Sequence, residues 1–160
     1  MPAHARAVAV VVDDHEYSRR LVAHALGATG WEVHGASTLA EARALVAQTR
    51  PAAILLDLQL PDGSGLDLPA TCRSATDPRP CVIVACTAGH RHDDEPRALA
   101  AGCDAYVKKP VDVHALPGLL RSLLRARGLE SDAVSPVASA PAPLRPDDAC
   151  QSATVPAGLP

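Results

Sequence analysis

The stretch AAILLDLQLPDG, residues 52–63, decides the fold of this 160-residue chain. Five apolar residues lie between Pro51 and the Pro-Asp-Gly turn signal, a pattern that predicts a short strand buried on both faces. Asp57 follows the apolar run directly. Ligands bind at the carboxyl ends of the strands in an open parallel α/β sheet, so Asp57 is the first candidate for a functional residue. Taken alone, it could also be an Asp that only begins a turn.

The apolar periodicity predicts five strands that alternate with helices. The predicted strands cover residues 7–12, 31–36, 52–56, 81–86 and 104–108. Predicted helices cover 17–28, 38 to just before Pro51, 66–74, about 93–102 and 112–127. This alternation with short connections predicts an α/β fold: a five-stranded parallel sheet, doubly wound and flavodoxin-like, with strand order 2-1-3-4-5.

Three helix boundaries have specific predictions. Thr38 and Glu41 have the spacing of a capping box, in which each side chain accepts a backbone N–H of the other residue. Asp93 or Asp94 is the expected cap of the fourth helix. The pair Pro117-Gly118 is unfavourable inside a helix, so we expect a kink or a delayed start of the last helix there.

Composition divides the chain into two parts and excludes several classes of function. Residues 1–128 carry equal numbers of acids and bases, and the whole net charge of −3 comes from residues 129–160. A neutral domain without a basic stripe argues against nucleic-acid binding by the domain itself. Residues 129–160 are rich in Pro and Ala, and we predict an acidic, disordered tail after a domain spanning 1–128.

Two further features of the composition point to an intracellular protein. No apolar run approaches the roughly 18 residues of a membrane span, so we expect a cytoplasmic protein without membrane contact. The five cysteines lack CxxC spacing, which favours buried thiols over disulfides or a zinc site. The seven histidines lack metal-binding spacings, and we interpret them as surface or packing residues.

Polar residues follow four of the predicted strands. Strand one ends in Asp13-Asp14, strand three in Asp57, strand four in Thr87 and strand five in Lys109. In this strand order the three carboxylates would crowd one crevice, which is costly without a counter-ion. Mg²⁺ prefers oxygen ligands and would relieve that repulsion. Asp57 could then attack phosphorus, while Lys109 and the Thr87 hydroxyl bind phosphoryl oxygens.

These segments resemble the receiver domain of bacterial two-component response regulators, in particular the stand-alone, chemotaxis-regulator-like single-domain type. The resemblance covers about residues 7–127 and depends on VVDD (11–14), LLDLQLPDGSGL (55–66), CTAG (86–89) and AGCDAYVKKP (101–110). It implies a protein of a two-component phosphorelay that accepts phosphate from a sensor histidine kinase or a phosphotransfer protein. The resemblance implies regulation and not turnover of an external substrate.

The resemblance also assigns roles to single residues. Asp57 matches the phosphoacceptor, Asp14 a direct magnesium ligand and Asp13 a ligand acting mostly through water. Gln59 would add its backbone carbonyl to the metal ligands, and Lys109 matches the lysine before a cis proline, so the Lys109–Pro110 bond is a cis candidate. Thr87 and Tyr106 match the switch pair that changes partner binding. Gln59 and Gly89 occupy the positions that influence the lifetime of the phosphoryl group.

Two other classes of function are alternatives. A haloacid-dehalogenase-type phosphatase also uses an aspartyl phosphate but needs a D-x-D motif, whereas this chain has Asp57-Leu58-Gln59, whose amide is no acid/base. A binding module that signals without phosphate would keep only the fold. The kinase, the downstream target and phosphorylation-dependent dimerisation are left open by the sequence.

Overall fold

The computed structural model describes residues 6–73, 81–89 and 91–129. The strands of its main sheet are β1 (Val8–Val12), β2 (Glu32–Ala36), β3 (Ala53–Leu56), β4 (Val82–Thr87) and β5 (Ala105–Lys108). The helices are α1 (Glu16–Gly27), α2 (Leu39–Thr49), α3 (Leu68–Cys72), α4 (Asp94–Ala100) and α5 (Leu116–Ala126). A two-residue ladder of Gln59–Leu60 with Gly63–Ser64 and a 3₁₀ turn at Gly65–Asp67 connect β3 to α3.

The five strands form one parallel sheet in the order 2-1-3-4-5, which confirms the predicted architecture. All four residues of β3 and all six of β4 are buried. Helices cover both faces of a sheet of this kind, so its inner strands are apolar on both sides, and this is the pattern from which they were predicted. The strands β1 and β3 are neighbours, so their carboxyl ends meet at the same edge.

The sheet separates two apolar cores because side chains alternate between its faces. Val10, Ile54 and Ile83 face α2, α3 and α4, whereas Val11, Leu55 and Val84 face α1 and α5. On the second face α5 contributes Leu116, Leu120 and Leu124, which are four residues apart and lie on one side of the helix. Four of the five cysteines, Cys72, Cys81, Cys86 and Cys103, are buried, as predicted; Cys150 is outside the described residues.

The last helix begins late, which confirms one of the two outcomes predicted from Pro117-Gly118. Residues 112–115 form a turn in which the Asp112 carboxylate accepts the N–H groups of His114 and Ala115, at 3.0 and 3.3 Å. Helix α5 then begins at Leu116, with Pro117 in its first turn. A proline is tolerated there because the first backbone N–H groups of a helix have no partner within it.

The N-terminus of α2 differs in part from the predicted capping box. The Thr38 hydroxyl accepts the Glu41 N–H at 3.1 Å, as predicted. The Glu41 carboxylate, however, bonds the Ser37 N–H at 2.7 Å and the Ser37 hydroxyl at 2.9 Å. These bonds hold the pKa of Glu41 below its usual value.

A carboxylate distant in sequence completes this cap. Asp62, in the turn after β3, accepts the N–H groups of Leu39 and Ala40 at 2.7 and 3.0 Å. These two bonds lower the pKa of Asp62. The cap therefore joins the loop that follows Asp57 to the start of α2.

Other boundaries differ from the predictions by a few residues. Thr87 is the last residue of β4 and does not follow the strand. A single helix over 66–74 was predicted, but α3 covers only Leu68–Cys72 and is preceded by the 3₁₀ turn Gly65–Asp67. Asp93 occupies the position before α4 but makes no side-chain capping bond. The predicted tail lies outside the described residues except for Leu129.

An ion-pair cluster joins elements at the amino end of the sheet, opposite the carboxyl edge that carries Asp13, Asp14 and Asp57, which we call the acidic edge. Asp104, which precedes β5, binds Arg73 Nη2 at 2.7 Å and Arg127 Nε at 2.6 Å. Its carboxylate also accepts the N–H of Ile83, near the start of β4, at 2.7 Å. We call Arg73, Asp104 and Arg127 the Asp104 cluster; it joins the ends of α3 and α5 to two strands.

Within the described ranges, no helix has both the length and the apolar character that crossing a membrane requires.

Candidate functional site

The backbone of the sheet brings the predicted site residues to one edge. The Asp57 N–H donates to the Val12 carbonyl at 2.8 Å, and the Lys109 N–H donates to the Thr87 carbonyl at 3.0 Å. Asp13 directly follows β1, Asp57 follows β3, Thr87 ends β4 and Lys109 follows β5. The edge is thus assembled from four separate strands by ladder hydrogen bonding.

Lys109 connects two of the acids directly. Its Nζ atom lies 2.5 Å from Asp13 Oδ2 and 2.9 Å from Asp57 Oδ2. Both carboxylates are buried, with 5% and 6% of the residue exposed. Burial opposes the charged ammonium, but the hydrogen bonds to Asp13 and Asp57 outweigh it and raise the pKa of Lys109. A fixed positive charge therefore lies between two buried carboxylates.

The second oxygen of each buried acid is held by the backbone. Asp57 Oδ1 accepts the Gln59 N–H at 3.0 Å, and Asp13 Oδ1 accepts the His15 N–H at 2.9 Å. These bonds orient the carboxylates without using all the lone pairs of either oxygen.

Asp14 and His15 complete a group of potential metal ligands. Potential ligand atoms of Asp13, Asp14, His15 and Asp57 all lie within 4.8 Å of one another. Three of these residues were predicted as metal ligands, and His15 was not. Its position directly after Asp14 is the sequence signal that could have indicated it. Gln59 lies in the short ladder that follows Asp57, and its carbonyl as a ligand stays a prediction.

The Thr87 hydroxyl is fixed in a state that leaves its proton available. Thr87 is buried, and its Oγ1 accepts the Gly89 N–H at 3.0 Å, so the hydroxyl proton is not used in that bond. Thr87 and Lys109 line a cavity of about 290 Å³ together with the half-buried Tyr106. Burial and the nearby carboxylates of Asp94 and Glu95 raise the pKa of the Tyr106 phenol.

Two further residues lie near the site in roles that the sequence did not indicate. A side chain at Gly65 would overlap the Asp57 carbonyl oxygen, so only glycine fits where this segment passes Asp57. Asp94 is buried, and its carboxylate occupies the space that a side chain at Gly89 would need. Both contacts join segments that are separate in the chain or lie outside the sheet, and apolar periodicity does not reveal them.

The peptide bond between Lys109 and Pro110, the cis candidate, is cis. A second cavity, of about 380 Å³, lies beside this bond and is lined mainly by apolar side chains, with Asp13 and Lys109 at its polar side. Tyr17 and Leu21 of α1 line it and are 78% and 41% exposed. The acidic edge therefore borders an exposed apolar surface.

A parallel sheet of this order with three acids, a lysine and a threonine at its carboxyl edge is the arrangement expected of a receiver domain of a response regulator. The family model described as the response regulator receiver domain matches residues 9–121. The chain belongs to the response regulator receiver family.

Individual relatives agree with this assignment. The chain is similar to the polar-differentiation response regulator DivK of Brucella anthropi, with 32% identity over 115 residues, covering 72% of this chain and 94% of that protein. Among solved structures, a CheY-like receiver domain protein from Methanospirillum hungatei has a TM-score of 0.71 and 26% identity, covering 79% of this chain and all of that one.

A further solved structure of a similar protein contains a divalent cation. It is a response regulator from Burkholderia pseudomallei with a phosphorylated aspartic acid, a calcium ion and citrate. It has a TM-score of 0.65 and 27% identity, and the match covers 76% of this chain and 72% of that chain.

Proposed function

We propose that this chain accepts a phosphoryl group on Asp57 from the phosphohistidine of a sensor kinase or phosphotransfer protein, and that the phosphorylated form binds a different set of partners. The observation that carries the proposal is the position of Lys109 Nζ between Asp13 and Asp57. An ammonium held there can bind a phosphoryl oxygen as soon as one is attached to Asp57.

The donor set fits Mg²⁺. Carboxylate oxygens of Asp13, Asp14 and Asp57, with the Gln59 carbonyl, are hard ligands of the kind Mg²⁺ prefers. When bound, the ion would neutralise the acids and the negative charge of the phosphoryl group. The similar Burkholderia response regulator has a phosphorylated aspartic acid and a calcium ion, which supports a divalent cation as part of the proposal.

Asp57 serves as the nucleophile. An oxygen of its ionised carboxylate forms the O–P bond as the N–P bond of the phosphohistidine breaks, and the donor imidazole leaves. The backbone hydrogen bond from Gln59 fixes the rotation of the carboxylate before the reaction. The contribution of the protein is mainly positioning and charge neutralisation, as in other phosphoryl transfers.

Thr87 and Tyr106 would transmit the change. The Thr87 hydroxyl can donate a hydrogen bond to a phosphoryl oxygen. Movement of Thr87 towards that oxygen would leave space in the cavity that it shares with Tyr106, and the Tyr106 ring would fill this space. The phosphoryl group shifts the equilibrium only by its different interaction with the two arrangements. The protein is thus a regulator and not an enzyme that turns over an external substrate.

The apolar surface around Tyr17 and Leu21 supports a protein as the phosphoryl donor. It lies next to Asp13 and Lys109, so a partner docked there would bring its phosphohistidine to the acidic edge. Exposed aromatic and aliphatic residues next to a reactive group are typical of protein interfaces.

The same proposal has three further parts. The receiver domain ends at about residue 128, the protein is cytoplasmic, and phosphorylation promotes dimerisation.

Mass spectrometry tests the acceptor. The full chain is incubated with Mg²⁺ and a small-molecule phosphoryl donor such as acetyl phosphate, and the intact mass is recorded. We expect one added phosphoryl group, absent in Asp57→Asn and retained in Asp67→Asn, a matched change of an exposed acid in the loop after β3. The assignment of Asp57 as the acceptor would be refuted if the adduct persisted in Asp57→Asn. It would also be refuted if no donor or kinase gave an adduct on the unaltered chain.

A further inference from the structure

His15 lies against the acids at the edge of the sheet. Its Nδ1 atom is 2.9 Å from Asp14 Oδ1 and 3.4 Å from Asp13 Oδ1. The imidazole is 72% exposed, so an ion in solution has access to it. Of the ligand groups gathered at this edge, His15 offers the nitrogen and the acids offer oxygens.

The backbone of this loop is held in place. The His15 N–H donates to Asp13 Oδ1 at 2.9 Å, and Arg19 Nη1 donates to the Asp13 carbonyl at 2.7 Å. The position of His15 beside the carboxylates is therefore set by Asp13 and α1 and not by its contact with Asp14 alone.

The spacing of the atoms is suited to a shared ion. Two ligands at about 2.1 Å from one ion are separated by roughly 3 Å when they are neighbours in octahedral geometry, and by roughly 3.4 Å in tetrahedral geometry. The distances from His15 Nδ1 to the oxygens of Asp14 and Asp13, 2.9 and 3.4 Å, fall in this range. Nδ1 and the carboxylates could thus bind one cation as adjacent ligands with small adjustments.

We propose that His15 Nδ1 is a further ligand of the cation site, and that it shifts the preference of the site from Mg²⁺ towards divalent transition ions such as Zn²⁺. Imidazole suits Zn²⁺ and other borderline ions, whereas Mg²⁺ selects oxygen and keeps several waters. This inference rests on the proposed function, because it concerns the ion of the same site.

Site-resolved titration tests the role of His15. The full ¹⁵N-labelled chain is titrated separately with Zn²⁺ and Mg²⁺, both diamagnetic, and binding is followed at the backbone amides of Asp14 and Leu58. We expect His15→Gln to raise the dissociation constant for Zn²⁺ at this site at least about tenfold. Loss of a residue that only supports a metal ligand already weakens binding by about this factor, and loss of a ligand should weaken it at least as much. The constant for Mg²⁺ should change by less than about twofold, because Mg²⁺ depends on the oxygens.

His114→Gln is the matched control. Its N–H also donates to an Asp two residues earlier, Asp112, and its side chain is exposed, but it is not part of the acid group. It should leave both constants at the acidic edge unchanged. The inference about His15 would be overturned if His15→Gln bound Zn²⁺ and Mg²⁺ more weakly by the same factor, or if its affinity for Zn²⁺ were unchanged.

Failure of the proposed function has a different signature. If neither ion shifts the amides of the unaltered chain and Asp57 gains no phosphoryl group, the cation site and the phosphoacceptor assignment both fail. If Mg²⁺ binds and Asp57 is phosphorylated while the loss of Zn²⁺ affinity is absent, only the role of His15 is wrong.

Discussion

Lys109 is the residue on which the electrostatics of the site depend, because its ammonium lies between two buried carboxylates. Removing one partner from a buried ion pair leaves an uncompensated charge, which costs more than the pair itself contributes. Here removal of the lysine would leave two acids facing each other. The side chain therefore has a structural role before any phosphoryl group arrives.

We expect Lys109→Met to lower the free energy of unfolding by about 3 kcal/mol when divalent cations are removed, and by less when Mg²⁺ is present. Urea unfolding with EDTA and with Mg²⁺ measures both values. Lys108→Met, at the exposed neighbouring lysine, should change the stability by less than about 0.5 kcal/mol. Similar losses in the two variants would contradict the role of the Lys109 ion pairs.

The sign of the pH dependence follows from the raised pKa of Lys109. A base whose pKa is higher in the folded state contributes stability below its ordinary value of 10.5, and loses it as the pH rises through the folded value. The contribution of Lys109 is thus present throughout the neutral range.

Gly65 shows how a residue without a side chain can lie against the backbone of Asp57. A Cβ atom there would overlap the Asp57 carbonyl, which is backbone and cannot rotate away. We expect Gly65→Ala to lower the free energy of unfolding by about 2 kcal/mol or more, and to slow phosphorylation of Asp57. Urea unfolding and the rate of adduct formation are the measurements.

Gly118→Ala is the control for the substitution itself. Gly118 lies in α5 with no neighbouring atoms where a Cβ would be, so alanine should stabilise the helix by about 0.5–1 kcal/mol. A stabilising Gly65→Ala would show that the loop has room beside Asp57 after all.

At the scale of elements, the N-terminus of α2 depends on carboxylates from two parts of the chain. Asp62 and Glu41 both have pKa values lowered by the backbone N–H groups that they accept. An acid with a lowered pKa in the folded state contributes stability above its unfolded pKa, which is lost as the pH falls through the folded value. The unfolded reference values are 3.8 for Asp62 and 4.5 for Glu41.

We therefore expect the double variant Glu41→Gln, Asp62→Asn to lose less stability than the unaltered chain as the pH falls from about 5 to 3. At neutral pH the variant should be the less stable of the two, because an amide accepts these bonds more weakly than a carboxylate. Urea midpoints across this pH range provide the comparison. If the urea midpoints of the two proteins fell in parallel with pH, protonation of Glu41 and Asp62 would not contribute to the loss of stability.

For the whole molecule, local patterns predicted the sheet well and non-local contacts poorly. The apolar runs of β3 and β4 are visible because both faces of each strand are buried. The delayed start of α5 was predictable because Pro117 lacks a backbone N–H and is unfavourable inside a helix. In contrast, the bonds of Asp62 join residues 22 and 23 positions apart, and no periodicity encodes them.

The candidate site was predictable to the extent that it lies at strand ends. Asp13, Asp57, Thr87 and Lys109 each stand where an apolar run stops, so the topology alone brings them to one edge. His15, Gly65 and Asp94 do not stand at strand ends, and their positions beside the site depend on distances that only the folded chain defines. The sequence therefore predicts which strands form the site better than which side chains surround it.

The Asp104 cluster has a consequence for how a signal could spread. One carboxylate holds Arg73 at the end of α3, Arg127 at the end of α5 and the backbone of β4, all at the amino end of the sheet. These ion pairs oppose separation of the last turn of α5 from the sheet. A change at the opposite end of the sheet would therefore move the beginning of α5, near Pro117, more readily than its end at Arg127, and a partner that contacts the beginning of the helix would sense such a change best.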